Sequence, residues 1–295
     1  MTIDGAYKEL WIPLQTVYEV REARNIAALV VEHLTGLSKT DRIFRKEQAI
    51  TDQQHLQLEQ YLEELLRGKP VQYVLQEAWF GGLKFYVNES VLIPRPETEE
   101  LVEWMVSNLV SNQETISIQT ALDIGTGSGC IAIALKSKLP ELKVSALDVS
   151  EKALEVAKKN ARDLHADIDF LRIDALDENS WNQLPLYDYI ISNPPYIKKS
   201  EAPDMRSNVV AFEPETALFV QDEDPLLFYR KITCLAKDHL TNEGKIFFEV
   251  NEAHAEEVAE LFSETGFTEI EIKNDMQGKP RMVKAEKPGS RKTAT

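Results

Sequence analysis

The sequence predicts an α/β protein: a mostly parallel sheet covered on both faces, preceded by a small N-terminal helical bundle and joined to it by a β-hairpin linker. Three observations carry this expectation. From Gln119 onward, short apolar runs alternate with amphipathic segments, the pattern of a parallel sheet with crossover helices. The first of those runs ends in a glycine-rich turn that opens a helix. Before Gln119 the pattern is helical to about residue 75 and changes period at Trp79-Phe80-Gly81-Gly82.

The elements follow in order. Leu14, Val17, Ile26, Leu29, Val30 and Leu34 recur at helical spacing, and Gly36 is placed to end that segment. Ser38 to Ile50 reads as a second helical run. Thr51-Asp52 opens a third, with Leu56, Leu58, Tyr61, Leu62, Leu65 and Leu66 expected to face inward before Gly68-Lys69-Pro70 stops it. Residues 1–75 thus form one helical domain, and 76–93 a hairpin linker built on aromatic and β-branched residues around Gly81-Gly82. Pro94 to Glu100 opens an amphipathic helix running to about Leu109, and Ser111 to Ser117 is a polar loop. Seven strands are expected in the main domain, residues 94–286: Thr120 to Ile124, Lys143 to Asp148, Ile168 to Ile173, Tyr187 to Ser192, Lys245 to Val250, Phe267 to Lys273 and Pro280 to Glu286. Helices fall near Cys130 to Lys138, Glu151 to Leu164, Asp224 to Leu240 and Ala253 to Thr265, and 287–295 reads as a flexible tail.

Composition narrows the function. The 295 residues are 43% hydrophobic and 28% charged, ordinary for a globular protein. No apolar run approaches the roughly 20 residues that span a bilayer, and Met1-Thr2-Ile3-Asp4-Gly5 lacks the pattern of a signal peptide. Cys130 and Cys234 offer neither a disulfide framework nor metal-ligand spacing, so a cytoplasmic protein without a metal is expected. A net charge of −16 argues against general nucleic-acid binding and favours protein or small-molecule substrates.

The most informative stretch is Asn193-Pro194-Pro195-Tyr196, at the end of the predicted strand Tyr187 to Ser192. Two prolines cannot continue a central strand, and residues that precede proline are held extended. The product is a rigid corner offering one amide, one carbonyl and a phenol ring, suited to holding an NH2 group in a plane; a plain strand-to-loop turn is the alternative. Upstream, Ala121-Leu122-Asp123-Ile124 runs into Gly125-Thr126-Gly127-Ser128-Gly129, where a ligand can approach backbone N–H groups at a helix N-terminus. The lysine of a P-loop is absent, and the spacing is not the dinucleotide fingerprint. Asp148 ends the second strand where open α/β folds hold a ribose diol, or it caps the next helix. Asp174 and Ala175 end the third, where they border an adenine ring or a solvated loop.

On these residues the chain resembles the class I S-adenosylmethionine-dependent methyltransferases, and among them the protein-glutamine N-methyltransferases that modify peptide release factors, the PrmC/HemK family. The resemblance rests on Ile93-Pro94-Arg95-Pro96-Glu97-Thr98-Glu99, Asp123 to Gly129, Asn193 to Ile197, and Asp275-Met276-Gln277-Gly278-Lys279-Pro280-Arg281-Met282-Val283. Val250 to His254 and the small Ala175 depart from the family pattern. The resemblance implies a Rossmann-like, seven-stranded, mostly parallel methyltransferase sheet and an N-terminal domain that docks the substrate. It implies S-adenosylmethionine as cofactor, S-adenosylhomocysteine as product, and release factors as partners of a monomeric, membrane-free enzyme. It places Asn193, Pro194 and Tyr196 in catalysis, and Gly125, Thr126, Gly127, Ser128, Gly129, Asp148, Asp174, Ala175 and Asn193 on the cofactor. Asn193, Pro194, Pro195, Tyr196, Arg95, Pro96 and Glu97 would meet substrate, Arg95 otherwise serving as an ion-pair partner. Glutamine methylation of a large-subunit ribosomal protein and adenine-N6 methylation of nucleic acid are the alternatives; the second lacks its basic recognition region here.

Overall fold

The computed structural model describes residues 1–111 and 119–289. By its internal contacts the chain divides into two compact units, Met1–Glu77 with Arg206–Phe212, and Ala78–Met205 with Glu213 onward.

The first unit is helical. Helix α1 (Ile3–Leu14) is capped by the Thr2 hydroxyl, and α2 (Val20–Thr35) ends on Gly36 in the left-handed conformation. A short α3 (Lys39–Phe44) follows, then α4 (Asp52–Leu66), opened by a capping box between Thr51 and Gln54, and α5 (Val71–Leu75). Leu10, Leu14, Val30, Leu58 and Leu65 are fully buried where these helices meet, each contributing about 1.5–3 kcal/mol by leaving water. Three expectations are corrected here. Leu14 to Leu34 is not one segment, because the backbone and hydroxyl of Thr16 take the Pro13 carbonyl and Tyr18 takes that of Leu14, turning the chain between α1 and α2. The run from Ser38 stops at Phe44. Leu56 and Leu66, 58% and 38% exposed, lie off the inward stripe that Leu58, Tyr61, Leu62 and Leu65 define.

Strands β1 (Glu77–Phe80) and β2 (Leu83–Tyr86) form the hairpin, and α6 (Pro96–Ser111) leads to the sheet. The predicted loop at Ser111 to Ser117 and most of the tail from Lys287 fall largely outside the described residues. Then come β3 (Thr120–Ile124), α7 (Cys130–Lys138), β4 (Lys143–Asp148), α8 (Glu151–Asp163), β5 (Ile168–Arg172) and β6 (Tyr187–Ser192). Residues 197–220, where no elements were anticipated, carry the two-residue strands β7 (Ile197–Lys198) and β8 (Phe219–Val220) and short helices α9 (Ser207–Phe212) and α10 (Glu215–Leu218). Helix α11 (Leu227–His239), β9 (Leu240–Glu249), α12 (Ala255–Glu264), β10 (Thr268–Asn274) and β11 (Pro280–Glu286) complete the chain.

The seven-stranded sheet runs β10-β11-β9-β6-β3-β4-β5, with β11 antiparallel to both of its neighbours. Alternate residues face alternate cores. Leu122, Ile124, Ile190 and Phe248 pack on one face with Tyr229 and Phe262; Ala121, Tyr189, Ile191 and Phe247 pack on the other with Leu101 and Met105. The central strand β3 pairs in parallel with β4 and β6, placing the strand-order switch beside the glycine turn.

Gly129 has no substitute in this arrangement. Its φ is +81°, and an added Cβ would sit 3.2 Å from the Ala157 Cβ on α8 and 3.1 Å from the Ile133 Cδ1. At Gly125, with φ +75°, the same Cβ meets nothing within 4 Å. Gly129→Ala is therefore expected to cost about 1–3 kcal/mol of unfolding free energy, clearly more than Gly125→Ala; urea denaturation of both variants would show this, and equal costs would deny the close approach of α8.

Candidate active site

The carboxyl ends of β3, β4 and β6 surround a cavity of about 360 Å³, within the size range of small-molecule sites. Gly125, Gly127, Asp148, Asp174, Ala175, Asn193, Pro194 and Pro195 all line it, so residues predicted from four separate motifs converge. Thr126, Ser128, Gly129, Tyr196, Arg95, Pro96 and Glu97 are not among the lining residues. Ser90, Val91, Leu92, Thr216 and Phe228 are, and nothing in their sequence pattern marked them.

The glycine turn is held by the sheet. Gly125 and Thr126 donate their backbone N–H groups to the Leu147 carbonyl at 2.9 and 3.0 Å, and the Thr126 hydroxyl donates to Asp123 Oδ2 at 2.6 Å. Asn160 of α8, fully buried, donates from Nδ2 to the carbonyls of Ser128 and Tyr86 and accepts the Tyr86 N–H, fastening β2 to the turn. Asp148 closes it: Oδ2 accepts Gly127 N–H and Oδ1 accepts Ser150 N–H, both at 2.9 Å. Ser150, rather than Asp148, caps α8. Burial pushes the Asp148 carboxyl above its usual range, and the N–H groups of Ser150, Gly127 and Val149 oppose that rise. Asp174 accepts the Leu176 N–H at 2.9 Å.

These residues fit S-adenosylmethionine. Each Asp148 oxygen already carries one N–H and keeps lone pairs for a diol. Gly125 and Gly127 leave open space where side chains would stand, and Val149, Ile173, Ala175 and Phe228 supply apolar walls for a flat base.

At the other end of the cavity, Asn193 Nδ2 donates to Thr98 Oγ1 at 3.0 Å, and its Oδ1 has no partner among the described residues. Thr98 donates to Glu249 Oε2 at 2.6 Å, Tyr196 donates its hydroxyl to Glu249 Oε1 at 3.2 Å, and Tyr229 donates to the Glu249 carbonyl at 3.1 Å. Burial lifts Glu249 to about 7; the hydrogen bonds of Thr98 and Tyr196 and the charge of Arg281 oppose the rise, while Glu97 adds to it. Burial likewise lifts Asp123 to about 7 and pushes the Tyr196 hydroxyl well up. Arg95 pairs at 2.6 Å with Glu213 Oε1, whose other oxygen accepts the Ile93 N–H at 3.2 Å, so the guanidinium braces the entry to α6.

A mostly parallel sheet with this strand order, carrying a glycine turn, a strand-end aspartate and an Asn-Pro-Pro corner on one cavity, defines a methyltransferase. The methyltransferase small domain pattern matches residues 102–215, and the PrmC N-terminal domain pattern matches 14–75. The chain is 44% identical to the release factor glutamine methyltransferase of Flavobacterium psychrophilum, over 92% of this chain and 94% of that one. It is 39% identical to its counterpart in Bacteroides thetaiotaomicron, over 92% and 95%. Among solved structures, the hMettl16 catalytic domain in complex with a 3′UTR hairpin shares the fold, with a TM-score of 0.54 at 17% identity over 82% of this chain and 84% of that one. The chain belongs to the release factor glutamine methyltransferase family, a family of S-adenosylmethionine-dependent enzymes. Among the described residues, no helix is long and apolar enough to cross a membrane.

A raised carboxyl pKa means that the folded state holds the proton more tightly than the unfolded chain. For Glu249 the window runs from 4.5 to about 7; its contribution is fully present below that window and is lost as pH rises through it. Glu249→Gln removes this titration and leaves that of Asp123 in place. The stability of the variant relative to wild type should therefore grow between about pH 5 and about pH 8, by no more than about 1.4 kcal/mol per pH unit. Urea denaturation at the two pH values measures it, and a difference that does not change with pH would mean that Glu249 stays ionised throughout.

Proposed function

We propose that this protein transfers a methyl group from S-adenosylmethionine to the side-chain amide nitrogen of the glutamine in the Gly-Gly-Gln motif of peptide chain release factors, in the cytoplasm, with S-adenosylhomocysteine as the other product. The observation that carries the reading is the Asn193 amide, anchored through Nδ2 with Oδ1 free, on the same cavity as Asp148. When bound, the cofactor supplies a methyl group on a sulfonium, an electrophile that needs only a nucleophile held in line.

An amide nitrogen is a weak nucleophile because its lone pair is delocalised, so the protein's task is chiefly positioning, which can contribute about 7–11 kcal/mol in well-oriented cases. Asn193 Oδ1 and the Pro194 carbonyl accept the two N–H bonds of the glutamine amide and hold it planar. Donation into those acceptors raises electron density on the nitrogen. Pro195 keeps the corner rigid, and Tyr196 screens it from water. Asp148 would hold the ribose hydroxyls; Gly125, Thr126, Gly127, Ser128 and Gly129 would form the turn beneath the methionine part, and Asp174 and Ala175 would border the adenine. Arg95, Pro96 and Glu97 shape the approach for substrate, Arg95 through its pair with Glu213. The nitrogen–methyl bond forms as the sulfur–methyl bond breaks, and one amide proton leaves to water. Residues 1–75 contribute to docking the protein substrate, in keeping with the match of 14–75 to the family's N-terminal domain.

Incubation with labelled S-adenosylmethionine and a purified release factor, beside its Gly-Gly-Gln glutamine-to-alanine variant, tests the reading. Label on the first alone is expected; none on either, from a protein that binds cofactor, would turn attention to the ribosomal protein. In the same assay Asn193→Ala should lose at least about 100-fold in turnover, on the scale of a deleted oxyanion-hole donor, with cofactor affinity nearly unchanged. Asp148→Ala should instead weaken cofactor binding by about tenfold or more, as expected for hydrogen bonds to a charged group. Parallel losses of turnover and affinity in Asn193→Ala would assign that side chain to the cofactor.

A further inference from the structure

The Ile93 to Glu99 and Asp275 to Val283 motifs stand outside the cavity lining, yet the first meets Asn193 through Thr98 and the second brings the charge of Arg281 to bear on Glu249. Thr98 is buried in the first turn of α6 and Glu249 at the end of β9, 151 residues away; a 2.6 Å hydrogen bond joins them. A hydroxyl has one proton. Because Thr98 gives it to the carboxylate, its oxygen can only accept from Asn193, and an acceptor can face the NH2 end of an amide but not its carbonyl end. The contact has that sense, Asn193 Nδ2 donating at 3.0 Å.

An unaided asparagine amide has little preference between its two orientations, since its terminal torsion is broad and roughly two-fold. The second carboxylate oxygen meanwhile accepts from Tyr196 at 3.2 Å, so one buried group fixes both side chains of the corner. Arg281 favours the ionised, accepting form of that group against burial, which lifts it to about 7. Glu249 pairs with Met282 across β9 and β11, and the neighbouring Arg281 is positioned by the turn in which Asp275 accepts the N–H groups of Gln277 and Lys279. The Arg281 guanidinium reaches the Val250 carbonyl at 3.3 Å and draws the Glu249 carboxyl toward its anion.

The geometry points to a positioning relay: Thr98 and Glu249, supported by Arg281, act through Asn193 and hold its amide so that Oδ1, and not Nδ2, meets the NH2 group of the incoming glutamine. With the amide reversed, NH2 would face NH2, and the corner would repel the substrate it is shaped for. What the corner receives rests on the proposed glutamine reading; the orientation of the Asn193 amide does not.

Thr98→Val keeps the shape and removes the hydroxyl, whereas Thr98→Ser keeps the hydroxyl. Thr98→Val should lose at least about tenfold in turnover, with affinity for S-adenosylmethionine within about twofold of wild type, and Thr98→Ser should retain more than about a third of wild-type turnover. The Asn193 side-chain NH2 resonances, assigned by their loss in Asn193→Ala, should exchange slowly with water in wild type and Thr98→Ser and rapidly in Thr98→Val. The relay is overturned by wild-type turnover and amide protection in Thr98→Val, by equal losses in the serine and valine variants, or by joint loss of turnover and cofactor affinity. The exchange measurement needs no turnover, so it decides the relay even where the wild-type protein leaves a release factor unlabelled, a result that counts against the glutamine reading alone.

Discussion

The parallel pairing of β3 with a strand on each side is the constraint from which the site hangs. Asp123 lies level with Ala146 and Ile191, and Ile124 with Leu147 and Ser192. Ser192 donates its hydroxyl to the Ile124 carbonyl at 2.7 Å, and Leu147 takes the first two N–H groups beyond the strand. The ends of three strands are thereby brought level to within one residue, β4 running on to Asp148. A slip by one residue would exchange the two faces of β3, sending Leu122 and Ile124 toward the other core and Asp123 out of its contact with Thr126. The cavity exists because all three chains leave the sheet at nearly the same height and turn by different means: glycines after β3, an Asx turn after β4, and prolines after β6.

Two carboxyl groups are buried beneath this edge, and that is unusual because removing a charge from water disfavours folding. Asp123 and Glu249 are both pushed to about 7 by burial, yet their partners differ. Asp123 serves the turn through a single hydroxyl, that of Thr126. Glu249 accepts two hydroxyls and has a guanidinium nearby. A lone pair left without a donor at such depth costs about 1–3 kcal/mol, so the donors aimed at Glu249 offset part of the cost of burying it, and each of them takes its direction from that group. Hydrophobic residues would fill the same volume at less cost but could not assign a direction to a neighbouring hydroxyl.

Much of this was legible in the sequence. Thr120–Ile124, Lys143–Asp148 and Tyr187–Ser192 begin and end where periodicity and turn residues place them, closed by glycine, aspartate and Asn-Pro-Pro; Pro280–Glu286 has the expected bounds too, although Arg281, Lys284 and Glu286 interrupt its apolar pattern. The same punctuation marked Gly125, Asp148 and Asn193, whose convergence on one cavity follows from ending adjacent parallel strands. What stayed hidden is long-range. Asn160 and Glu249 have local surroundings typical of an amphipathic helix and of a strand end; their significance comes from partners 74 and 151 residues away. Leu56 and Leu66 failed for the opposite reason, since leucines flanking an inward stripe satisfy a count of apolar residues without facing the core.

The Asn-Pro-Pro corner needs two kinds of restraint, and the chain supplies them from different places. Prolines at 194 and 195 limit backbone torsions, which aims the Asn193 Cβ and the Pro194 carbonyl. No backbone restraint can tell the two ends of a side-chain amide apart, since oxygen and NH2 have nearly the same shape. Only a neighbour of fixed donor or acceptor character does so, and a hydroxyl is ambivalent until its own proton is committed. The commitment has to come from a group that accepts, which is why the Glu249 carboxylate, two hydrogen bonds removed from Asn193, matters to the orientation of that amide. Local sequence thus sets where the corner points, and tertiary structure sets which atom it presents.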